Sequence, residues 1–329
     1  MNRLGLALAG GLMAILGGAL FLLSGIPNFA ASNGQFGPVD WLQTMAGRQS
    51  VTLRSAAIDV PELDDPALIR RGAGHYEMVC AQCHGSPAGP PERFAADIVP
   101  LPPRLMAQME HWRPPARVFW TVRHGIRQSA MPAWPSELRD DEVWAVVAFI
   151  EAMPEMTAVE YVELAGPERG ACLSCHGEDG TGRNGTAPRL DIHSPAYIAT
   201  ALRAFRDGTR QSGTMIAAAR NLDDAAIDRL AAGFGRRTPV APDGPAAGRD
   251  IAERGLPARD IPACDSCHAA GRADYPRLAG QWKHHLRTQL ELFREHGVAR
   301  GGPYADIMAE VAHYLEDEDI DALVDWYGE

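Results

Sequence analysis

The chain contains one five-residue pattern three times. CAQCH begins at Cys80, CLSCH at Cys172 and CDSCH at Cys264, so successive copies are 92 residues apart. A fixed internal interval of this kind indicates a repeated structural unit. The three copies use all six cysteines of the chain, so no thiol remains for a structural disulfide. The fold is therefore expected to contain three similar modules, each built around two cysteines and a histidine.

Closely spaced cysteines serve three kinds of chemistry, and the surrounding sequence favours one of them. CxxCH is typical of covalent haem attachment, in which both thiols bond to the porphyrin and the histidine ligates the iron. A zinc site needs a second ligand pair, which no further cysteine can supply. A thioredoxin-like dithiol belongs beside a βαβ pattern, whereas the flanking sequence here is helical, Pro-rich and Gly-rich. We therefore predict three covalently bound haem c groups, attached through Cys80, Cys83, Cys172, Cys175, Cys264 and Cys267 and ligated by His84, His176 and His268.

Length and charge narrow the class of protein. A chain of 329 residues suits three small modules, because each haem adds apolar core that a short chain otherwise lacks. The net charge of −11 disfavours nucleic acids and anionic membrane surfaces as partners but permits docking to basic patches on redox proteins. Nine acidic residues and no Lys or Arg follow Arg300. The third module is therefore expected either to dock a basic partner or to carry a solubility face with helix capping.

The N-terminus carries an apolar run without charge from Leu4 to Ile26. Its length predicts a membrane-spanning helix, although a long signal peptide cut near Ala30 to Ser32 is the alternative. In either case Arg3 stays inside and the remainder is exported. We therefore expect a bacterial inner-membrane protein with its haem domains in the periplasm, or a soluble periplasmic protein after signal cleavage.

The predicted fold is all-α, with three tandem domains after the N-terminal transmembrane helix. Residues 1–27 form the anchor or signal segment and residues 28–60 a tether with weak periodicity. The first module covers 61–156, the second 157–238 and the third 239–329, which follows a Pro/Gly-rich stretch.

Each module also offers a methionine in one shared register. Leu follows at +7, Val or Ile at +12, and Val or Leu at +15 from Met131, Met215 and Met308. These spacings place the apolar residues on one helical face, and acidic residues cluster where that helix would begin. The register predicts that Met131, Met215 and Met308 are the sixth iron ligands. Bis-histidine ligation is the alternative.

A Pro-Arg-Leu triplet lies between CxxCH and the methionine in every module, with prolines 103, 188 and 276. A ligating histidine normally donates its other ring N–H to a carbonyl or carboxylate, and the carbonyls of Pro103, Pro188 and Pro276 are candidate acceptors. We expect Arg104, Arg189 and Arg277 either to face a haem propionate or to lie exposed in a turn.

The combination of CxxCH, PRL and a methionine before an amphipathic helix resembles the class I cytochromes c. ALRAFRDGTR in the second module and QLELFREHGVAR in the third, with PRLAGQ and SGTM, are similar to the diheme cytochrome c4 family. That resemblance implies two class I domains facing each other that carry electrons to terminal oxidases. GIRQSAMPAW and DDEVWAVVAFIEAMP of the first module look like single-haem domains of respiratory complexes. The second module departs from the family, because AGPERGA before Cys172 leaves little room for a long first helix.

These features predict a triheme electron carrier that catalyses no bond chemistry, working between a dehydrogenase or quinol-oxidising complex and a terminal oxidase. A fixed cytochrome subunit of a membrane dehydrogenase would have the same chemistry. A haem peroxidase is the enzymatic alternative, and it requires an open iron position.

Overall fold

The computed structural model describes residues 3–26, 37–108, 114–165, 172–182, 185, 187–235, 241–269 and 271–329, with side chains from residue 9 onward. Within these ranges the chain is helical and forms no strand, only isolated bridges such as Leu256 with Ile261. The all-α prediction is confirmed for the part of the chain that is described.

Two helices precede the first module, α1 (Arg3–Leu23) and α2 (Gly37–Ser55). Among the residues with described side chains, no helix is long and apolar enough to cross a membrane, so the predicted anchor is not supported. Residues 4–8 of the predicted run lie outside the described side chains. The predicted tether also differs from the structure, because α2 packs on the first module and buries Val51 and Ser55.

The first module is built around a crossing of two helices. Its helices are α3 (Pro66–Val79), α4 (Ala81–His84), α5 (Leu105–Gln108), α6 (Pro115–His124), α7 (Asp140–Ala152) and α8 (Ala158–Ala165). Asp65 caps α3 by accepting a hydrogen bond from the Ala67 N–H, and Pro66 suits the first helical position. Gly72 of α3 lies so close to α7 that an added Cβ would meet the Ala145 carbonyl oxygen at 1.9 Å. The glycine therefore permits close packing of α3 on α7.

Helix α8 extends the first module beyond its predicted end at residue 156. Tyr161 and Ala165 are fully buried in the same apolar cluster as Tyr76 and Phe149. The Tyr161 hydroxyl also donates to the carboxylate of Glu77 on α3. The sequence-based boundary at residue 157 assigned these residues to the second module, whereas α8 packs on α3.

The remaining helices form two similar groups. The second module contains α9 (Leu173–His176), α10 (Pro195–Arg206), α11 (Gly213–Ala219) and α12 (Asp224–Phe234). The third contains α13 (Ala246–Arg254), α14 (Asp265–His268), α15 (Lys283–His296), α16 (Ala305–His313) and α17 (Asp317–Tyr327). Helices α7, α12 and α17 begin within the predicted acidic clusters, and each buries its +12 residue completely: Val143, Ile227 and Ile320.

Candidate cofactor sites

Each CxxCH motif occupies one short helix. The first cysteine is the N-terminal cap of α4, α9 and α14, and its carbonyl accepts the N–H of the histidine four residues later at 2.9–3.0 Å. Residues three apart lie on one face of a helix, so the two thiols of each motif point the same way. None of the six cysteines takes part in a disulfide, so each is available for covalent attachment.

The three histidines share one hydrogen bond. Nδ1 lies 2.9 Å from the Pro103 carbonyl oxygen in His84, 3.0 Å from that of Pro188 in His176, and 2.7 Å from that of Pro276 in His268. A carbonyl only accepts, so Nδ1 must carry the proton. The lone pair is then on Nε2, which is the tautomer that an iron ligand needs.

Burial sets the protonation of these groups. It lowers the pKa of the His84, His176 and His268 imidazoles, which favours the neutral, metal-binding form. It also raises the pKa of the Cys80 and Cys264 thiols to about 12. A redox dithiol instead needs one thiol of low pKa, and the Cys80 and Cys264 thiols have a raised one.

Two open cavities, both walled mainly by apolar side chains, contain the second and third motifs. The second cavity is lined by Cys172, Cys175 and His176 together with Met215 and Leu190. The third has the same arrangement, formed by Cys264, Cys267, His268, Met308 and Leu278. Each cavity thus brings together two thiols, a neutral imidazole and a thioether. This donor set fits a covalently attached haem.

In the first module, one predicted iron ligand and one predicted attachment cysteine pack against the apolar cluster. Met131, Cys80 and Leu105 pack against its buried core. The Met131 carbonyl accepts the N–H of Ile126 at 3.2 Å. Gly125 has φ +65° and would clash with that carbonyl if it had a Cβ, so a glycine is needed where the methionine loop folds back on α6. Met109, a further methionine of this module, lies outside the described residues.

The arginines of the three Pro-Arg-Leu triplets have different environments. Arg104 is exposed, as the turn alternative predicts. Arg189 is only 8% exposed and binds the Asp191 carboxylate through two nitrogens, at 3.0 and 2.8 Å, and also the carboxylate of Glu329. Arg277 donates to the Ile192 carbonyl at 3.3 Å. The described partners of Arg189 are thus Asp191 of the second module and Glu329 of the third.

The second and third modules meet through equivalent residues. Gln281 and His193 both lie five residues after the proline of their own triplet. The Gln281 side-chain oxygen accepts the Arg189 N–H at 2.9 Å, and the His193 Nδ1 accepts the Arg277 N–H at 3.2 Å. Each module therefore fixes the proline loop of the other, as expected for two domains that face each other.

The sequence did not reveal several residues around the second cavity. Arg71, His75 and Met78, all on α3 of the first module, line this cavity together with Arg139 and Glu142. An added Cβ on Gly74 would meet the Cys175 Sγ at 2.9 Å. The first helix of the first module thus forms part of the wall that the second module lacks.

The profile of the family described as cytochrome c oxidase, cbb3-type, subunit III matches residues 67–150. A thiosulfate dehydrogenase electron acceptor of Stutzerimonas stutzeri is 33% identical over 178 residues, which are 50% of this chain and 81% of that protein. Its counterpart in Thiomonas intermedia is 32% identical over 174 residues, 49% of this chain and 79% of that protein. A solved structure of Acidithiobacillus ferrooxidans cytochrome c4 is 28% identical to this chain, with a TM-score of 0.42. The match covers 47% of this chain and 96% of that one.

Proposed function

We propose that this chain, which belongs to the class I c-type cytochromes, carries single electrons on three covalently bound haems c in an exported location. One observation carries the proposal most directly. In each of two cavities, two free thiols, an imidazole bonded through Nδ1 to a proline carbonyl, and a methionine lie on one surface. The first module repeats the histidine–proline bond and the methionine register.

The cysteines, histidines and methionines of the three modules have different roles in holding the haems. The cysteine pairs attach the haem, and His84, His176 and His268 ligate the iron through Nε2. Met131, Met215 and Met308 complete the coordination, and a thioether ligand raises the reduction potential. When bound, each haem supplies an iron that gains and loses one electron. The protein contributes ligands, burial and orientation.

The electron donor is proposed from the relatives. Two of them are named thiosulfate dehydrogenase electron acceptors, which favours a dehydrogenase as the donor. A first module similar to an oxidase subunit supports delivery towards a terminal oxidase. A fixed place in a dehydrogenase complex uses the same chemistry, and purification of the native complex distinguishes the two arrangements.

The proposed function is tested by measuring the intact mass of the protein and the iron ligation of its methionine variants. The intact mass of the purified protein should equal the chain plus three haems. Met131→Ala, Met215→Ala and Met308→Ala should each remove one methionine–iron charge-transfer contribution and lower one midpoint potential. A mass with fewer haems contradicts the triheme proposal. Unchanged spectra in a variant contradict that ligand, and an open iron position would favour a peroxidase.

A further inference from the structure

We infer that the first module positions the sixth ligand of the second haem, through the buried carboxylate of Glu142. This inference rests on the proposed function, since it takes Met215 as that ligand. Glu142 is in the first turn of α7 in the first module and is 2% exposed. Its carboxylate faces the segment that begins α11, the helix of the second module that carries Met215.

The carboxylate gathers donors from both modules. Within the first module, Trp134 Nε1 donates to it at 3.1 Å and Arg139 pairs with it at 2.9 Å. From the second module, the Ser212 hydroxyl donates at 2.6 Å and the Gly213 N–H at 2.8 Å. A buried carboxylate with donors on every side is geometrically defined, because moving any donor leaves a buried polar group unsatisfied.

The contact continues to Met215 through one atom. Ser212 Oγ donates to Glu142 and at the same time accepts the Met215 N–H at 3.2 Å. Ser212 is the N-terminal cap of α11, so its orientation decides where the helix begins. The carboxylate fixes the hydroxyl, and the hydroxyl fixes the backbone of the methionine.

Two further contacts hold the same segment from the same side. The Trp134 indole lies against Gly213, where an added Cβ would meet its Nε1 at 2.2 Å. The His75 Nδ1 lies 2.8 Å from the Thr214 Oγ1. Trp134 itself follows Met131 by three residues. The methionine loop of the first module and the methionine helix of the second are therefore packed on each other.

Among the residues that the structure describes, only the first of the three modules uses an acidic side chain at this repeat position to contact a neighbouring module. Eleven residues after each methionine stand Glu142, Ala226 and Asp319. Asp319 accepts the N–H of Glu316 at 2.8 Å and so caps its own helix α17. In the first module the longer acidic side chain at this position reaches the neighbouring module instead.

The experiment uses the full holoprotein. In the reduced state each methionine-ligated haem shifts its ligand's methyl proton resonance strongly, and the three single Met→Ala variants assign the three resonances. Glu142→Gln keeps the shape but replaces one acceptor oxygen by an amide donor. We expect it to displace or remove only the Met215 resonance and to lower only the corresponding midpoint potential. Ser212→Ala should do the same.

Ser136→Ala is the matched control. Its hydroxyl donates to Gln211 Oε1 at 3.0 Å across the same interface, so it contacts the residue before Ser212 and not Ser212 itself, and all three resonances should stay unchanged. If Glu142→Gln does not fold, Ser212→Ala tests the same contact without changing a charge, and it should shift the Met215 resonance alone.

The outcomes separate this inference from the proposed function. An altered Met215→Ala spectrum together with an unchanged Met215 resonance in Glu142→Gln and Ser212→Ala overturns the positioning role and leaves the ligand in place. An unchanged Met215→Ala spectrum overturns the ligand assignment and this inference with it. A Ser136→Ala effect equal to that of Glu142→Gln also overturns it, because any interface change would then suffice.

Discussion

The arginine of the Pro-Arg-Leu triplet is buried in the second module and exposed in the first, so its substitution should have different effects on stability in the two modules. Arg189 binds Asp191, whose side chain is 1% exposed, whereas Arg104 is on the surface. Arg189→Ala removes the guanidinium from a buried ion pair, and breaking a buried pair in this way costs about 3–5 kcal/mol. We expect Arg104→Ala to change the free energy of unfolding by less than about 0.5 kcal/mol.

Urea unfolding of the holoproteins measures the difference. Because a multidomain chain is not two-state as a whole, the transition of the second and third modules should be followed through the haem absorbance. Arg189→Lys, which keeps the charge but not the two-nitrogen geometry, should lie between the two variants. Equal midpoints for Arg189→Ala and Arg104→Ala would show that the buried pair contributes nothing.

The sequence predicted the roles of residues that recur in each module, but it did not predict the contacts of residues that join one module to another. The motif and its spacing predicted a proline carbonyl as the histidine partner, and the three observed Nδ1–carbonyl contacts have that arrangement. Glu142 was not identified from the sequence, because its partners Ser212 and Gly213 lie 70 residues away or more. The same holds for Arg189 and Glu329. A local pattern carries no information about which distant backbone N–H a carboxylate meets.

At the scale of helices, a glycine in the first helix of a module sets how closely that helix approaches the helix that follows the methionine. Gly72 brings α3 against α7, and in the third module Gly248 brings α13 against α17, where an added Cβ would meet the Ala322 carbonyl oxygen at 2.1 Å. The sequence predicted the terminal helices from their apolar period. It did not show that α8 packs on α3, because the apolar face of a short helix does not identify its neighbour.

The glycine crossing leads to a prediction about helix packing. Gly72→Ala places a methyl group on the Ala145 carbonyl, so the helices must separate, at a cost of about 1–3 kcal/mol or more. Gly47→Ala is the control, because Gly47 is within α2 with nothing inside 4 Å of an added Cβ. It should stabilise by about 0.5–1 kcal/mol, since alanine favours a helix over glycine. Thermal unfolding followed by circular dichroism measures both, and a Gly72→Ala variant as stable as the parent would contradict the close crossing.

At the scale of the whole molecule, the acidic C-terminal stretch is less strongly charged than its sequence suggests. Arginine and lysine side chains of the same chain pair with many of its acidic residues: Arg259 with Glu316 and Asp319, Arg294 with Asp317, Arg287 with Asp321, Lys283 with Asp325 and Arg189 with Glu329. Exposed pairs of this kind contribute little stability each, but they neutralise the surface. The hypothesis that this face docks a basic partner therefore depends mainly on the exposed Asp306, Glu310 and Glu318.

The three modules also differ in how much core they possess, and the second depends on its neighbours. Among the described residues, its apolar cluster has four buried members, Ile198, Ala199, Ile227 and Ala231, whereas the first module's has fourteen and the third module's nine. Its methionine helix is held by Glu142 of the first module, and its proline loop by Gln281 of the third. A small domain with so little buried apolar surface lacks the free energy to fold alone.

We therefore expect residues 157–238, expressed alone, to give no cooperative unfolding and no methionine-ligated haem. Residues 61–165 and 239–329 should each bind one haem with a methionine–iron charge-transfer band, because each retains a first helix packed on its last. The fragment 61–238 should recover part of the second site, since it restores α3 and Glu142 but not Gln281. Haem content, the charge-transfer band and chemical unfolding of the four fragments measure this order. A fragment 157–238 that unfolds cooperatively with its methionine bound would show that the second module is independent and that its contacts with the other two only orient it.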